Sequence, residues 1–133
     1  MSCALRDGHR DMTQHDAITD LIAGVPVTDL DAGIEWYTRL FGRPPDHRVG
    51  SEMLWDVDAH ATLFIEPDAP HAGAGRITFA VSGLDALLER LDAAGIGHEP
   101  VETYSNGVRH VKIPDPDGNA IAFAEPPAGF VLM

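Results

Sequence analysis

Residues 27–32 read VTDLDA, and residues 81–86, which lie 54 positions later, read VSGLDA. Each hexapeptide joins a segment typical of a strand to a segment whose apolar residues recur at helical spacing. Each half of the chain also closes on a related phrase, FIEP at 64–67 and FAEP at 123–126. Because strand, helix and closing phrase recur in the same order, the sequence predicts an internal repeat of two βαβββ modules.

The first module is predicted over about residues 18–67. Its elements are a strand over 18–27, a helix over 32–41, and two strands over 52–57 and 61–65. The apolar stripe of the helix consists of Leu30, Ile34, Tyr37, Leu40 and Phe41, with the spacing of one helix face. Trp36 lies off that stripe, and it either marks a contact surface or merely covers one. Gly42 and the following prolines are typical of a helix end.

The second module is predicted over about residues 75–126. Its elements are a strand over 76–81, a helix over 84–94, and strands over 98–103, 108–113 and 120–124. Residues 115–119, DPDGN, are typical of a tight turn, since proline presets φ and glycine accepts a positive φ. Residues 67–75 form a predicted connecting loop. Residues 1–17 are polar and aperiodic and are interpreted as a flexible tail, so that residues 18–133 form one domain.

The amino-acid composition indicates one folded domain and argues against several classes of protein. The 133 residues include 44% hydrophobic and 23% charged residues, as expected of one folded domain. The formal net charge of −12 repels nucleic acids and anionic membrane surfaces. Cys3, the single cysteine, excludes an internal disulfide framework. With no apolar signal segment at the start, we expect a cytoplasmic protein.

The strand before VTDLDA, the helix segment EWYTRLFG at 35–42 and the DPDGN turn together resemble the vicinal oxygen chelate superfamily. That superfamily contains glyoxalase I, bleomycin resistance proteins, fosfomycin resistance enzymes and extradiol dioxygenases. The resemblance covers residues 18–126. It implies an α+β fold in which two tandem βαβββ modules form a cup-shaped, mostly antiparallel sheet with helices on the outer face. It does not by itself imply one reaction, because the fold serves many.

In metal-dependent members of this superfamily, four His, Glu or Gln side chains from the first and fourth strands of both modules hold a divalent cation. Aligned on the motifs, those positions are occupied here by Ile22, Leu63, Arg76 and Ala122. Three of these side chains have no donor atom, and arginine is a permanent cation. Shifting the alignment by one residue supplies no better ligands. The resemblance therefore predicts a variant with neither metal nor cofactor.

Other candidate residues follow from residue type and place in the strands. Trp55 and Tyr104 are expected near the cup mouth, where aromatic rings contact flat ligands, with ordinary sheet packing as the alternative. Arg76 is a candidate anchor for an anionic ligand group, with a salt bridge or a solvated rim position as alternatives. His110 is a weak candidate for acid–base catalysis. Glu125, at a strand end, is interpreted as an outward, solvated carboxylate.

Three functions remain open. The first is a metal-independent protein that binds a small organic ligand, anionic or aromatic, in an apolar cup and acts as a homodimer. The second is an enzyme, such as a lyase, isomerase or dioxygenase-like protein, which uses unusual metal ligands or metal-free residues such as His110. The third is a module whose pocket has closed and which serves only in assembly.

Overall fold

The computed structural model describes residues 17–129, and it contains two helices and two four-stranded sheets. In chain order the elements are β1 (Leu21–Val27), α1 (Leu30–Phe41), β2 (His47–Val49), β3 (Glu52–Asp58), β4 (Ala61–Pro67), a 3-10 turn (Ala69–His71), β5 (Arg76–Ala80), α2 (Leu84–Ala93), β6 (Glu102–Thr103), β7 (Arg109–Pro114) and β8 (Ala120–Glu125). The predicted α+β fold of two tandem βαβββ modules is confirmed. Nearly all of the predicted tail lies outside the described residues.

The two sheets have the same topology, as expected from the sequence repeat. Their strand orders are β1-β4-β3-β2 and β5-β8-β7-β6. In each, the first strand of the module pairs in parallel with the last, and the other pairs are antiparallel. Among the described strands, β1 and β5 are consequently both edge strands with one unpaired side.

Both helices pack on one side of the sheets, which we call the helix face; the opposite side is the cup face. Successive strand residues point to opposite sides. The helix face carries the buried residues Val25, Val27, Met53, Trp55, Leu63, Ile65, Val111, Ile113, Ile121 and Phe123. Trp36 is also buried in this core, with its ring 4.7 Å from that of Tyr37. The expectation that Trp36 marks a contact surface is therefore wrong, because the buried face of α1 is wider than one stripe.

Different groups cap the first turns of the two helices. The Asp29 side chain accepts a hydrogen bond from the backbone N–H of Ala32 at 3.2 Å. Gly83 precedes α2 and has no side chain to offer, and instead Glu125 accepts from the backbone N–H of Leu84 at 2.8 Å. Glu125 also accepts from Arg109 at 3.2 Å. The prediction that Glu125 is a solvated, outward carboxylate is wrong, because it closes an otherwise uncapped helix.

Two strands differ from their predicted extent. The short edge strand β2 was not predicted, since residues 47–49 show no alternation of apolar and polar side chains. The predicted strand over 98–103 is reduced to Glu102–Thr103. Pro100 has no N–H to donate, and only Glu99 makes a ladder-like backbone bond, to Lys112 at 2.9 Å.

The DPDGN turn at 115–119 fastens the second module to the first, and we call it the latch. The Asp115 carboxylate accepts from the Tyr37 hydroxyl at 2.7 Å and from the Asn119 side-chain amide at 2.8 Å. The same amide donates to the carbonyl of Pro26 at 2.8 Å, and Asp117 accepts from the backbone N–H of Thr28 at 3.1 Å. The end of β1 and the middle of α1 are thus held by a turn that lies 78 to 93 residues away in the chain.

Candidate functional site

Three of the six candidate ligand residues share the cup face. Ile22, Arg76 and Ala122 all lie on the cup face, since their neighbours on the same strands point to the helices. Ile22 is 59% exposed and Ala122 is 5% exposed. Arg76 is exposed at the start of β5, which favours the alternative of a solvated rim position.

Trp55 and Leu63 lie on the opposite, helix face. Trp55 is fully buried, its indole N–H donates to the carbonyl of Arg43 at 2.9 Å, and its ring lies 6.0 Å from that of Tyr37. The expectation that Trp55 lies at the cup mouth is therefore wrong, and the packing alternative is correct. Leu63 pairs with Trp55 across β3 and β4 and shares its face.

The misplacement of Leu63 comes from aligning the phrases FIEP and FAEP. Phe64 pairs with Gly24 on the cup face, whereas Phe123 pairs with Phe79 on the helix face. The two phrases therefore correspond with an offset of one residue, which turns every side chain to the other side. The cup-face counterpart of Ala122 in the first module is Phe64.

A cavity of about 220 Å³ lies between the first sheet and the edge strand β5. Its walls consist of Leu21, Ala23, Val57, Ala61, Thr62, Leu63, Ile77, Thr78, Phe79 and Ala80. Within residues 17–129, no residue with a titratable side chain contributes to these walls, and the only polar residues among them are Thr62 and Thr78. Leu21, Ala23, Ala61 and Leu63 alternate with the cup-face residues of β1 and β4, so the first sheet lines the cavity mainly from its helix face. The arrangement can hold a small, mainly apolar molecule.

His110 and Tyr104 form a second feature on the second module. Their rings stack with centroids 5.6 Å apart. The Nδ1 atom of His110 is buried and, among the described residues, has no hydrogen-bond partner; Glu102 lies 3.7 Å from it, beyond hydrogen-bond distance. His110 pairs with Ala124 on the cup face, and neither aromatic residue lines the cavity.

A polar cluster on the first module was not predicted. His47 Nε2 lies 2.8 Å from Asp56 Oδ2, and the Thr62 hydroxyl donates to Asp56 Oδ1 at 3.1 Å. The backbone N–H of Asp56 donates to Asp46, which lowers the pKa of the Asp46 carboxyl. His47 and Asp56 are nine residues apart on neighbouring strands, and only recognition of β2 could have brought them together.

The metal site of the superfamily has no matching donors here. The equivalent cup-face positions hold Ile22, Phe64, Arg76 and Ala122, and none of these side chains offers an oxygen or neutral nitrogen to a divalent cation. The part of the chain described by the structure also contains no group of three or more His, Cys, Asp or Glu side chains that could hold a metal ion. The residues present therefore do not fit a metal centre.

Comparison with known proteins shows which family the chain is similar to. A family model described as Glyoxalase/Bleomycin resistance protein/Dioxygenase superfamily matches residues 18–123. A solved glyoxalase / bleomycin resistance protein from Catenulispora acidiphila is 39% identical, with a TM-score of 0.76, and the match covers 81% of this chain and 98% of that one. No curated protein matches the chain significantly. No helix among residues 17–129 is long and apolar enough to cross a membrane.

Two more distant structures show the fold alone. A lactoylglutathione lyase from Agrobacterium tumefaciens is 20% identical, with a TM-score of 0.68 over 87% of this chain and 100% of that one. A glyoxalase/bleomycin resistance protein/dioxygenase from Nocardioides is 20% identical, with a TM-score of 0.67 over 90% of each chain. These likenesses support the architecture and carry no assignment of ligand or reaction.

Proposed function

Because the chain belongs to the Glyoxalase/Bleomycin resistance protein/Dioxygenase superfamily, we propose that it is a metal-independent member that binds a small organic molecule. The observation that carries this proposal is the cavity of about 220 Å³ with mainly apolar walls. Ligand sites are typically concave, largely apolar and set with a few polar groups. The cavity has that character, whereas a catalytic site needs titratable groups within reach of the reacting atoms.

The volume limits the size of the ligand. Pockets for drug-sized molecules occupy about 300–1,000 Å³, whereas an apolar cavity of about 150 Å³ is large enough for benzene. A cavity of about 220 Å³ therefore suits a single aromatic ring with one or two substituents. Ala23, Ala61 and Ala80 leave room for a flat molecule, because their side chains end at Cβ.

Catalysis by His110 is the competing proposal, and its support is the buried, unpartnered Nδ1 atom. The position of His110 weakens it, because the residue does not line the cavity. If His110 were catalytic, His110→Gln would abolish any substrate turnover while leaving ligand affinity unchanged. A binding protein would show the same ligand affinity in both forms and no turnover in either.

The test of the binding proposal is to fill the cavity. Toluene, added in excess and followed by backbone amide chemical shifts, should perturb Ala23 and Ala80 of the wild type. Ala80→Leu introduces three carbon atoms at the cavity wall and should abolish the perturbation at Ala23. The matched control is Ala86→Leu on the exposed side of α2, which should bind toluene like the wild type. Equal binding by both variants would contradict the proposal.

We also propose that a second copy of the chain covers the cavity rim. Ile18, Leu21, Ile22 and Val57 are 86%, 69%, 59% and 44% exposed, and two of them also line the cavity. Such a group of exposed apolar residues is unusual for an isolated surface. Ile22→Asp should convert a dimer, measured by sedimentation equilibrium, into a monomer. A monomeric wild type would refute the dimer and leave the cavity intact.

A further inference from the structure

Two cationic side chains, Arg76 and Lys112, have no hydrogen-bond or ion-pair partner in the part of the chain that the structure describes. Every other arginine in that part donates to a carboxylate or to a backbone carbonyl: Arg39, Arg43, Arg48, Arg90 and Arg109. The chain has 21 Asp and Glu residues against nine Lys and Arg residues. Acidic partners are therefore abundant, and these two cations are nevertheless left without one.

The strand register places both cations on the cup face of the second sheet. β8 lies between β5 and β7, and Arg76 of β5 pairs with Ala120 while Lys112 of β7 pairs with Ala122. Paired residues of neighbouring strands point to the same side of a sheet. Ile121, between the two alanines, is buried on the helix face. The two cations thus flank β8 on its cup face.

Their separation suits one ligand that contacts both side chains. The cations are two strands apart laterally and two residues apart along the strands, which places their Cα atoms ~12 Å from each other. Ala120 and Ala122 end at Cβ, so β8 presents no long side chain between them. Both cations are exposed, whereas Ala122 is only 5% exposed. A shared ligand would therefore lie at the charged ends of the side chains, above the alanines.

We propose that Arg76 and Lys112 form a binding site for a doubly charged oxyanion, such as the phosphate group of a small molecule. The guanidinium offers a planar fork to two oxygen atoms, and the lysine ammonium offers a point charge to a third. Two cations on one face match two negative charges, whereas a single carboxylate would leave one cation unmatched. A solvated rim position does not prevent Arg76 from meeting an anion that arrives from the solvent.

This inference does not rest on the cavity, because neither cation belongs to its walls. It also does not follow from the overall charge. The formal net charge of −12 repels anions from the molecule as a whole. Any binding of phosphate must therefore come from a local group of cations.

The experiment uses Lys112, the only lysine of the chain, as its reporter. Reductive methylation with ¹³C-formaldehyde labels the ammonium group and keeps its positive charge. Inorganic phosphate is then added at pH 8, where most of it carries two charges, with the ionic strength held constant by chloride. The ¹³C signal of Lys112 should shift and reach saturation with phosphate. The same titration with chloride alone should leave it in place.

Variants at Arg76 test whether the two cations act together. Arg76→Gln removes the fork and should weaken phosphate binding, measured at Lys112, by roughly 10-fold, the usual worth of one charge-assisted hydrogen bond. Arg76→Lys keeps the charge without the fork and should give an intermediate affinity. The matched control is Arg48→Gln, which removes one charge from the other sheet, where Arg48 donates to the carbonyl of Gly50. This control should bind phosphate like the wild type.

Two aromatic anions of similar size test the class of ligand. Phenyl phosphate carries up to two charges and benzoate carries one, so phenyl phosphate should bind the wild type roughly 10-fold more tightly. Equal affinity for the two would refute a site for doubly charged anions.

The remaining outcomes separate this site from the cavity. If phosphate shifts the Lys112 signal equally in the wild type, Arg76→Gln and Arg48→Gln, or shifts it without saturation, the anion acts only as a counterion and the site is refuted. Toluene should perturb Ala23 and Ala80 of Arg76→Gln as in the wild type. Failure of toluene to bind would refute the cavity function and leave the anion site standing.

Discussion

Replacing Tyr37 by phenylalanine tests how strongly the latch holds the two modules together. Tyr37 is fully buried, and its hydroxyl donates to the Asp115 carboxylate at 2.7 Å. The substitution removes one hydrogen bond to a charged group and leaves the ring packing unchanged, so the expected loss is about 1.5–3 kcal/mol. Asp115 keeps three other donors, from Asn119 and Asp117, which limits the damage. At about 4 °C per kcal/mol for a domain of this size, the melting temperature should fall by roughly 6–12 °C.

The same variant has a signature at alkaline pH. Burial, and then the nearby Asp115, raises the pKa of Tyr37 well above its ordinary value of about 10. The folded protein therefore keeps a proton that the unfolded chain releases above that pH. The stabilising contribution is complete below about pH 10 and is lost as pH rises, at up to about 1.4 kcal/mol per pH unit. Tyr37→Phe should remove this part of the alkaline destabilisation.

Urea unfolding at pH 7.5 and at pH 11 measures both effects, and Tyr104→Phe is the matched control. Tyr104 is 44% exposed, so its hydroxyl is available to water and the control should behave like the wild type at pH 7.5. If Tyr37→Phe is as stable as Tyr104→Phe at pH 7.5, the Tyr37–Asp115 hydrogen bond contributes nothing measurable, and the coupling between modules must come from the other latch bonds and from apolar contacts.

Two further variants and one elemental analysis test the helix cap, the backbone of the linker and the absence of metal. Glu125→Ala leaves the Leu84 N–H at the start of α2 without its cap and should cost about 1 kcal/mol in urea unfolding; an unchanged midpoint would show that the cap is dispensable. Gly73→Ala places a Cβ 2.7 Å from the Asp117 carbonyl oxygen at φ +95° and should cost about 1–3 kcal/mol, more than Gly50→Ala, where φ is also positive but the space is open. Elemental analysis of protein purified without an affinity tag should find every transition metal far below one equivalent; a stoichiometric metal that is lost when a cup residue is replaced would overturn the metal-independent proposal.

The fold was predictable because its signals are local and occur twice. Apolar residues at helical spacing gave both helices within two residues at each end, and the repeated hexapeptide identified the equivalent strands. Single-residue register was not predictable from similar phrases, as the offset between Phe64 and Phe123 shows. A strand's faces depend on its pairing, and pairing involves residues far apart in the chain.

The site was less predictable than the fold for the same physical reason. The DPDGN motif predicts a turn, but its partners Tyr37 and Pro26 are 78 and 93 residues away. A tryptophan in a strand is typical both of a packed core and of a binding site. Only the burial of Trp55 in the structure distinguishes the two.

The latch and the cavity lie at opposite ends of β1, and this arrangement has a mechanical consequence. The C-terminal end of β1 is bound to Asn119 through the carbonyl of Pro26, whereas Leu21 at its other end lines the cavity. In the part of the chain described by the structure, β1 and β5 belong to different sheets, so no ladder hydrogen bond crosses the cavity. Leu21 lies ~16 Å from Pro26 at ~3.3 Å per residue, so the latch holds the end of β1 that is farther from Leu21 and the cavity. Among the described residues, the two sides of the cavity are therefore held together by side-chain packing and not by backbone pairing.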